Sequence, residues 1–407
     1  MAKKLHTMSS FTKILPIVSR IFPEGLLKSL AKECFPGDYD RKASPQELIR
    51  ALLKAQTLLL PSQEEIIKKN PRLGLSARTS LTYNFCLPSL LQFAKEMMSH
   101  LHQIHPMINS QLLATPRLLL DTMPQTLPAT QRGKGAKINN VSRGMGVMFA
   151  FNLDAMPGQC PIDILGIFRG SWNDTYKVRQ VALIANGPVY IADRGFYSRE
   201  TVKLWLDQHI NFIVRGKSAK MSWKTVRKLQ SCKRRFGKVL VEADEIVDIS
   251  PNDPKFSCEV RLIRGILTKA DGKCEKLYLL TDQLDLSTQQ VLDMYLVRGK
   301  IEVYHRFIKQ SLGLAHLYSF DDVGMECQAI VAALLSNLLY LAISSEGRTQ
   351  ETVLELILQL LHKLREEIGI MQPWRRNTYA QRRTKTAPSN AKALKRRKAM
   401  PYKYKNL

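Results

Sequence analysis

Tyr295-Leu-Val-Arg298-Gly-Lys-Ile-Glu302, followed seven residues later by Lys309, is the stretch on which the reading of this chain turns. A tyrosine, an arginine, a carboxylate and a lysine stand at i, i+3, i+7 and i+14. At 3.6 residues per turn these offsets put all four on one face of a helix, expected over 287–312. A carboxylate flanked by cations on one stripe suits a site that holds a metal ion and a phosphodiester together. Whether it does so depends on two further carboxylates standing where a sheet could bring them beneath that helix.

Upstream, the chain reads as strands and helices. Arg117-Leu-Leu-Leu-Asp121 is a short apolar run closed by an aspartate. Residues 146–153 and 162–168 read as two more strands, and Asn173-Asp174 as the cap of a helix over 175–184. Val189-Tyr-Ile-Ala-Asp193 is a fourth strand closed by an aspartate. Ser198 opens a helix to about residue 208, and 211–214 reads as a fifth strand. Three strands, helix, strand, helix, strand is the order of a ribonuclease-H-like α/β fold, in which the first and fourth strands lie side by side. Asp121 and Asp193 would then face each other at neighbouring strand ends, with Glu302 coming over them from the helix. Their separations are 72 and 109 residues. Asp154, Asp163 and Asp174 are rivals for the first carboxylate, ranked lower because they fit the strand order less well. Taken singly, an aspartate after a strand is a turn or cap residue and a helix glutamate is solvated; the joint pattern is what points to chemistry.

Composition agrees. The chain has 407 residues, 45% hydrophobic, a formal charge of +26 and a pI near 9.8. This is room for two or three domains and an electrostatic footprint for a polyanion. Residues 371–407 hold twelve Lys or Arg and no acid, and without them the chain is still at +14, so the basicity is spread over the body. A ribosomal protein of this length would not need so much apolar content. The seven cysteines form no C-x-x-C pair, which argues against a zinc site or a disulfide framework. The N-terminus carries no evident signal peptide, and the apolar stretch 329–344 is short for a membrane span and contains Ser336 and Asn337, so a buried helix is expected there. A cytoplasmic, nucleoid-associated protein is expected, with no membrane partner.

The domain organisation reads as a helical, DNA-end-binding N-terminal domain over 1–110, where Ser44-Pro-Gln-Glu47 makes a capping-box start. The first part of the catalytic domain covers 111–216. A β-rich insertion covers 217–290, the second catalytic part with the signature helix covers 291–345, and 346–407 holds an amphipathic helix (351–368) followed by a basic tail. Minor features are the basic run 131–137, the histidines His100, His102 and His105, and His305, three residues after Glu302.

Asp121-Thr122, Ala192-Asp193-Arg194-Gly195-Phe196-Tyr197 and the set Tyr295, Arg298, Glu302, Lys309 resemble the three acidic motifs of the DDE transposases of bacterial insertion sequences, the insertion-sequence-four-like group with the Tyr-Arg-Glu-Lys signature. The resemblance covers roughly residues 115–315. It implies a ribonuclease-H-like catalytic domain and two Mg²⁺ ions, with Mn²⁺ as substitute, held by Asp121, Asp193 and Glu302. It also implies DNA contacts from Tyr295, Arg298, Lys309 and Arg194, and a homodimer on paired ends of double-stranded DNA. The activity implied is cleavage of the element's inverted-repeat ends and their joining to target DNA. Two other readings remain: a metal-dependent nuclease of the same fold, and an inactive or repurposed DNA-binding protein. The chain departs from the pattern at Gly299, where relatives often carry an aromatic residue. Trp223 is the one tryptophan of the insertion, a packing residue unless it supports a flipped base as aromatic residues there do in hairpin-forming relatives.

Overall fold

The computed structural model describes residues 18–35, 43–60, 62–75, 78–108, 116–127, 144–217, 222–230, 233–269, 271–314, 316–343 and 350–367. The basic run 131–137, the tail 371–407 and the N-terminal residues 1–17 lie outside them. Met1–Leu364 form one compact unit and Arg365–Leu407 a second.

The early part of the chain is helical: α1 (Glu24–Cys34), α2 (Pro45–Leu58), α3 (Gln63–Lys69), α4 (Arg78–Phe85) and α5 (Pro88–Ile104). α2 starts as its capping pattern dictates. The Ser44 hydroxyl accepts from the Glu47 N–H, and Pro45 takes the first helical position, where no intrahelical donor is needed.

Next come β1 (Arg117–Thr126), β2 (Gly144–Asn152), β3 (Ile162–Arg169), α6 (Asp174–Val178), β4 (Val189–Ala192), α7 (Arg199–Asp207) and β5 (Phe212–Arg215). After them are β6 (Lys224–Gln230), β7 (Arg234–Phe236), β8 (Val239–Asp248), β9 (Glu259–Thr268) and β10 (Cys274–Thr281). Together they make a mixed α/β fold around one ten-stranded sheet of order β3-β2-β1-β4-β5-β10-β9-β8-β6, with β7 also paired to β8. β1 is antiparallel to β2 and parallel to β4, and β4 is parallel to β5. The first and fourth strands are thus neighbours. The strands of the β-rich stretch do not form a layer of their own. β10 pairs antiparallel with β5, so they continue the central sheet from an edge that would otherwise present unpaired amides. β2 is buried at every position, which is why it reads as an unbroken apolar run without alternation. α6 ends at Val178, short of the expected 184, and the Ile184 N–H goes instead to the Tyr190 hydroxyl.

The segment expected as one helix over 287–312 is four pieces: α8 (Thr288–Leu296), a 3₁₀ turn (Val297–Gly299), α9 (Lys300–Arg306) and a π turn (Phe307–Ser311). α8 opens with a reciprocal capping box between Ser287 and Gln290. Gly299, the poorest helix former after proline, lies in the break. α10 (Asp322–Ile343) is buried nearly all round. Its Asn337 bonds both the N–H and the C=O of Ile162 at the start of edge strand β3, which accounts for a polar residue in the most apolar stretch. The N-terminal helices are pinned to α10 and the loop before it by buried bonds. Gln56 donates to the Gln328 carbonyl, and the Tyr318 hydroxyl reaches the carbonyls of Ala55 and Leu60. α11 (Gln350–Glu367) buries Val353, Leu354, Ile357 and Leu361 at helical spacing.

Candidate active site

β1 and β4 run in parallel register, with Leu119 opposite Ile191. Two residues further along stand Asp121 and Asp193, a step that by the two-residue period returns to the same face; Asp193 follows the last residue of β4 as expected, whereas Asp121 does not end its strand, since pairing with β2 carries β1 on to Thr126. Both carboxylates are held from their own backbones. Asp121 Oδ1 accepts from the Thr122 N–H at 2.9 Å, and Asp193 Oδ1 from the Gly195 N–H at 2.6 Å. Arg298 Nη2 donates to Asp193 Oδ2 at 3.2 Å and ties the 3₁₀ turn to the end of β4. Burial pushes the Asp121 carboxyl up to about 6; Arg298 opposes the shift, while Asp193 and Asp174 add to it.

Asp174, at the start of α6, also comes close to this pair. A Cβ on Gly195 would meet Asp193 Oδ1 at 2.8 Å and Asp174 Oδ2 at 3.0 Å. Glycine there is what lets the two carboxylates close in on one turn. The Asn173-Asp174-x-x-Lys177 spacing carried a legible signal. Asn173 caps α6, and Lys177 Nζ reaches Asp174 Oδ1 at 3.0 Å from a side chain only 7% exposed. Gly146 on β2 makes room for it, since a Cβ there would lie 2.9 Å from the Lys177 ammonium. Of the other two rivals, Asp154 pairs with Arg117 and Asp163 with His102.

The signature residues separate. Arg298 joins the aspartates, and Lys309, half-buried, feels the Asp121 charge, although burial depresses its pKa. Tyr295 is 5% exposed, its pKa raised by burial and opposed by Arg215, to which its hydroxyl is hydrogen-bonded. Glu302 is exposed, and no ion pair or hydrogen bond ties it to either aspartate. His305 takes its direction instead, with Nδ1 3.5 Å from Asp121 Oδ2 and its ring against Phe149 and Phe151. Helix geometry explains the exchange. Three residues at three per turn over-rotate the chain by about 20° each relative to an α-helix, roughly 60° in all. That carries Glu302 off the stripe and brings His305, three residues later, onto it. Burial, then Lys309 and Arg298, drive the His305 pKa down to about 4, so the ring is neutral and its contact with Asp121 is not an ion pair. Arg194 is exposed. A Cβ on Gly299 meets open space, so nothing in the packing demands glycine there.

The start of α8 is anchored from the β-rich half of the sheet. Arg261 and Asp244, both buried, pair at 2.7 Å. Arg261 also donates to the carbonyls of Gln283 and Leu286, and Asp244 accepts from the Thr288 hydroxyl. Trp223 is half-buried, against Tyr278 and under the Arg264 guanidinium. The three histidines go three ways: His100 to the Ile21 carbonyl, His102 to Asp163 and His105 to the Gly158 carbonyl.

The donor set has the chemistry of a divalent-cation site: hard carboxylate oxygens from Asp121, Asp193 and Asp174, with the His305 imidazole beside Asp121. Thr122 Oγ1, Arg298 Nε and His305 Nε2 are buried beside it without hydrogen-bond partners, the mark of a site built for more than the protein alone. Among the described residues, no three His, Cys, Asp or Glu side chains yet converge to coordinating geometry. Two carboxylates completed by phosphate and water meet the usual demand of Mg²⁺.

An α/β sheet with paired aspartates on adjacent parallel strands, cations beside them and a +26 chain defines a protein of nucleic-acid chemistry. The pattern of the Transposase DDE domain matches residues 118–338, over half of the sequence, and the chain belongs to that family. It is also 26% identical over 258 residues to "Putative transposase y4zB" of Sinorhizobium fredii (strain NBRC 101917 / NGR234), a match covering 63% of this chain and 69% of that one.

Proposed function

We propose that this DDE transposase cuts the inverted-repeat ends of its own insertion sequence and joins them to target DNA, using two Mg²⁺ ions for which Mn²⁺ can substitute. The observation that carries the reading is the approach of Asp121, midway along β1, to Asp193, just past the end of the adjacent parallel strand β4, with Arg298 and Lys309 on the same side. The strand order β3-β2-β1-β4-β5 supports a ribonuclease-H-like core, with 111–216 and 291–345 as its two parts and 217–290 as the β-rich insertion. The helical 1–110 would bind element ends, and 346–407 would add phosphate contacts. The enzyme would act as a homodimer on paired ends of double-stranded DNA, in the cytoplasm, on the nucleoid.

Divalent cations would supply Lewis-acid polarisation of the scissile phosphate and a lowered pKa for water. The chain itself supplies positioning and charge. Asp121 and Asp193 would hold the cations through their oxygens, being fixed by the Thr122 and Gly195 amides. Arg298 and Lys309 neutralise the phosphate, and no protein nucleophile is needed. By the family pattern Tyr295 would contact DNA, although here it is buried and hydrogen-bonded to Arg215, and Arg194 would reach DNA from the surface. Glu302 would become the third ligand when the 3₁₀ turn at Val297–Gly299 relaxes to α-helix, which rotates it back onto the stripe.

The test is a plasmid carrying the DNA that flanks the gene, incubated with purified protein in Mg²⁺, in EDTA, and with Asp193→Ala or Glu302→Ala. Mg²⁺-dependent cuts at inverted-repeat boundaries, lost in both variants, are expected. Cleavage by Asp193→Ala at the wild-type rate would sink the reading. The exposed placement of Glu302 favours one second reading, a DNA-binding protein without cleavage. Tight salt-sensitive binding with no cut in any metal is its signature, whereas cuts that never join target DNA would mark a nuclease.

A further inference from the structure

The far edge of the sheet carries a second basic feature, remote from the aspartates. β6 is the terminal strand, and β7 continues along the same side of β8, so the two form one bent ribbon. Lys224, Arg227, Lys228, Lys233, Arg234 and Arg235 are all exposed on it. No Asp or Glu occurs from residue 208 to 241. The nearby ion pairs, Arg264–Glu245 and Arg215–Glu275, leave these six out, and Lys224 acts on Asp248 only at longer range. The strand is held from beneath by Thr225, whose hydroxyl donates to Glu245, so the cations stand on fixed backbone.

We infer that the β6–β7 ribbon is a phosphate-binding rail for the DNA duplex that flanks the cut site, a placement that rests on the transposase reading. Charge complementarity selects the occupant: six cations in no ion pair along an extended edge match a polyanion with evenly spaced charges, and the exposed Val226 and Leu229 among them are too few to make an apolar docking face. Spacing fixes where the rail engages. From β4, which carries Asp193, to β6 is five strand intervals, at most about 24 Å along a twisted sheet. At a rise of 3.4 Å per base pair that is roughly seven base pairs from the scissile phosphate. The competing account is that the cations only guard an exposed sheet edge against pairing with another copy.

The two accounts are separated by R227Q/K228Q/R234Q/R235Q and the matching R227E/K228E/R234E/R235E protein, each checked by thermal melting and sizing. Affinity for a 30-base-pair duplex is measured against salt concentration in EDTA, so the readout does not depend on cleavage. Loss of four phosphate contacts makes the log–log slope shallower by about 3.6 in the Gln protein, and the Glu protein binds more weakly still. Phosphate-ethylation interference on the element end should disappear about seven base pairs from the cut in both. A slope equal to wild type, with self-association of the Gln protein alone, overturns the rail and leaves the edge guard. A wild-type protein with no salt-sensitive DNA binding at all would instead bring down the transposase reading, and the rail with it.

Discussion

The two halves of the one sheet are built to different rules. The half β3-β2-β1-β4-β5 is most deeply buried at its centre, with β2 and β4 inaccessible along their whole length, and it presents function at two points, Asp121 midway along β1 and Asp193 just past β4. The half β10-β9-β8-β6 is open at its edge and presents charge along the strand, while its buried polar centre, Arg261–Asp244, holds the start of α8. A buried strand can fix a carboxylate closely because the backbone beneath it is held on all sides. An exposed edge cannot do that, but it can offer many weak contacts. On the proposed reading the chemistry belongs to the first half, and holding the DNA and the signature segment to the second.

Substitutions can break this division, starting with the strongest. Asp193→Ala removes a strand-end carboxylate and the partner of Arg298, and should lower Mg²⁺-dependent strand cleavage by about 10⁴-fold, roughly 5 kcal/mol of barrier, with little change in melting temperature. Arg261→Ala does the reverse. It leaves Asp244 charged and buried without its partner and should cost about 3–5 kcal/mol of unfolding free energy, read by denaturant titration. If Arg261→Ala spared stability but abolished cleavage, the functional split between the halves would be wrong. Gly195→Ala places a methyl within 3.0 Å of the Asp193 and Asp174 carboxylates and should lower cleavage about 10²-fold by misplacing them. A Gly195→Ala enzyme at full rate would show that the approach of Asp174 is incidental. Gly299→Ala is the mildest. The Cβ enters open space at a helical φ of −53°, so stability should rise by up to about 1 kcal/mol. If the 3₁₀ turn is what holds Glu302 off the stripe, cleavage should rise with it.

Much of the core was readable because its signals are local. A run such as Val189-Tyr-Ile-Ala ending in Asp193 says strand and strand end without reference to anything else, and the order of such runs leaves few topologies. The caps at Ser44, Asn173, Ser198 and Ser287 all accept the backbone N–H they were placed to accept. The signature stripe was different. Its four residues were spaced for a straight helix, but a periodicity argument cannot see a 3₁₀ turn that rotates the residues beyond it by about 60°. Asp174 was visible as a helix-start residue, yet its approach to Asp193 depends on Gly195, 21 residues away, lacking a side chain.

The sequence by itself determined the first five strands, the adjacency of the first and fourth, the aspartate that closes β4 and the excess of positive charge, because each is carried by neighbours along the chain. Only the tertiary structure decided that the β-rich stretch extends the central sheet, that His305 and not Glu302 faces Asp121, and that six cations line one free edge. Those outcomes rest on pairings between residues tens of positions apart and on the accumulated twist of a helix segment, quantities to which no single stretch of sequence is sensitive.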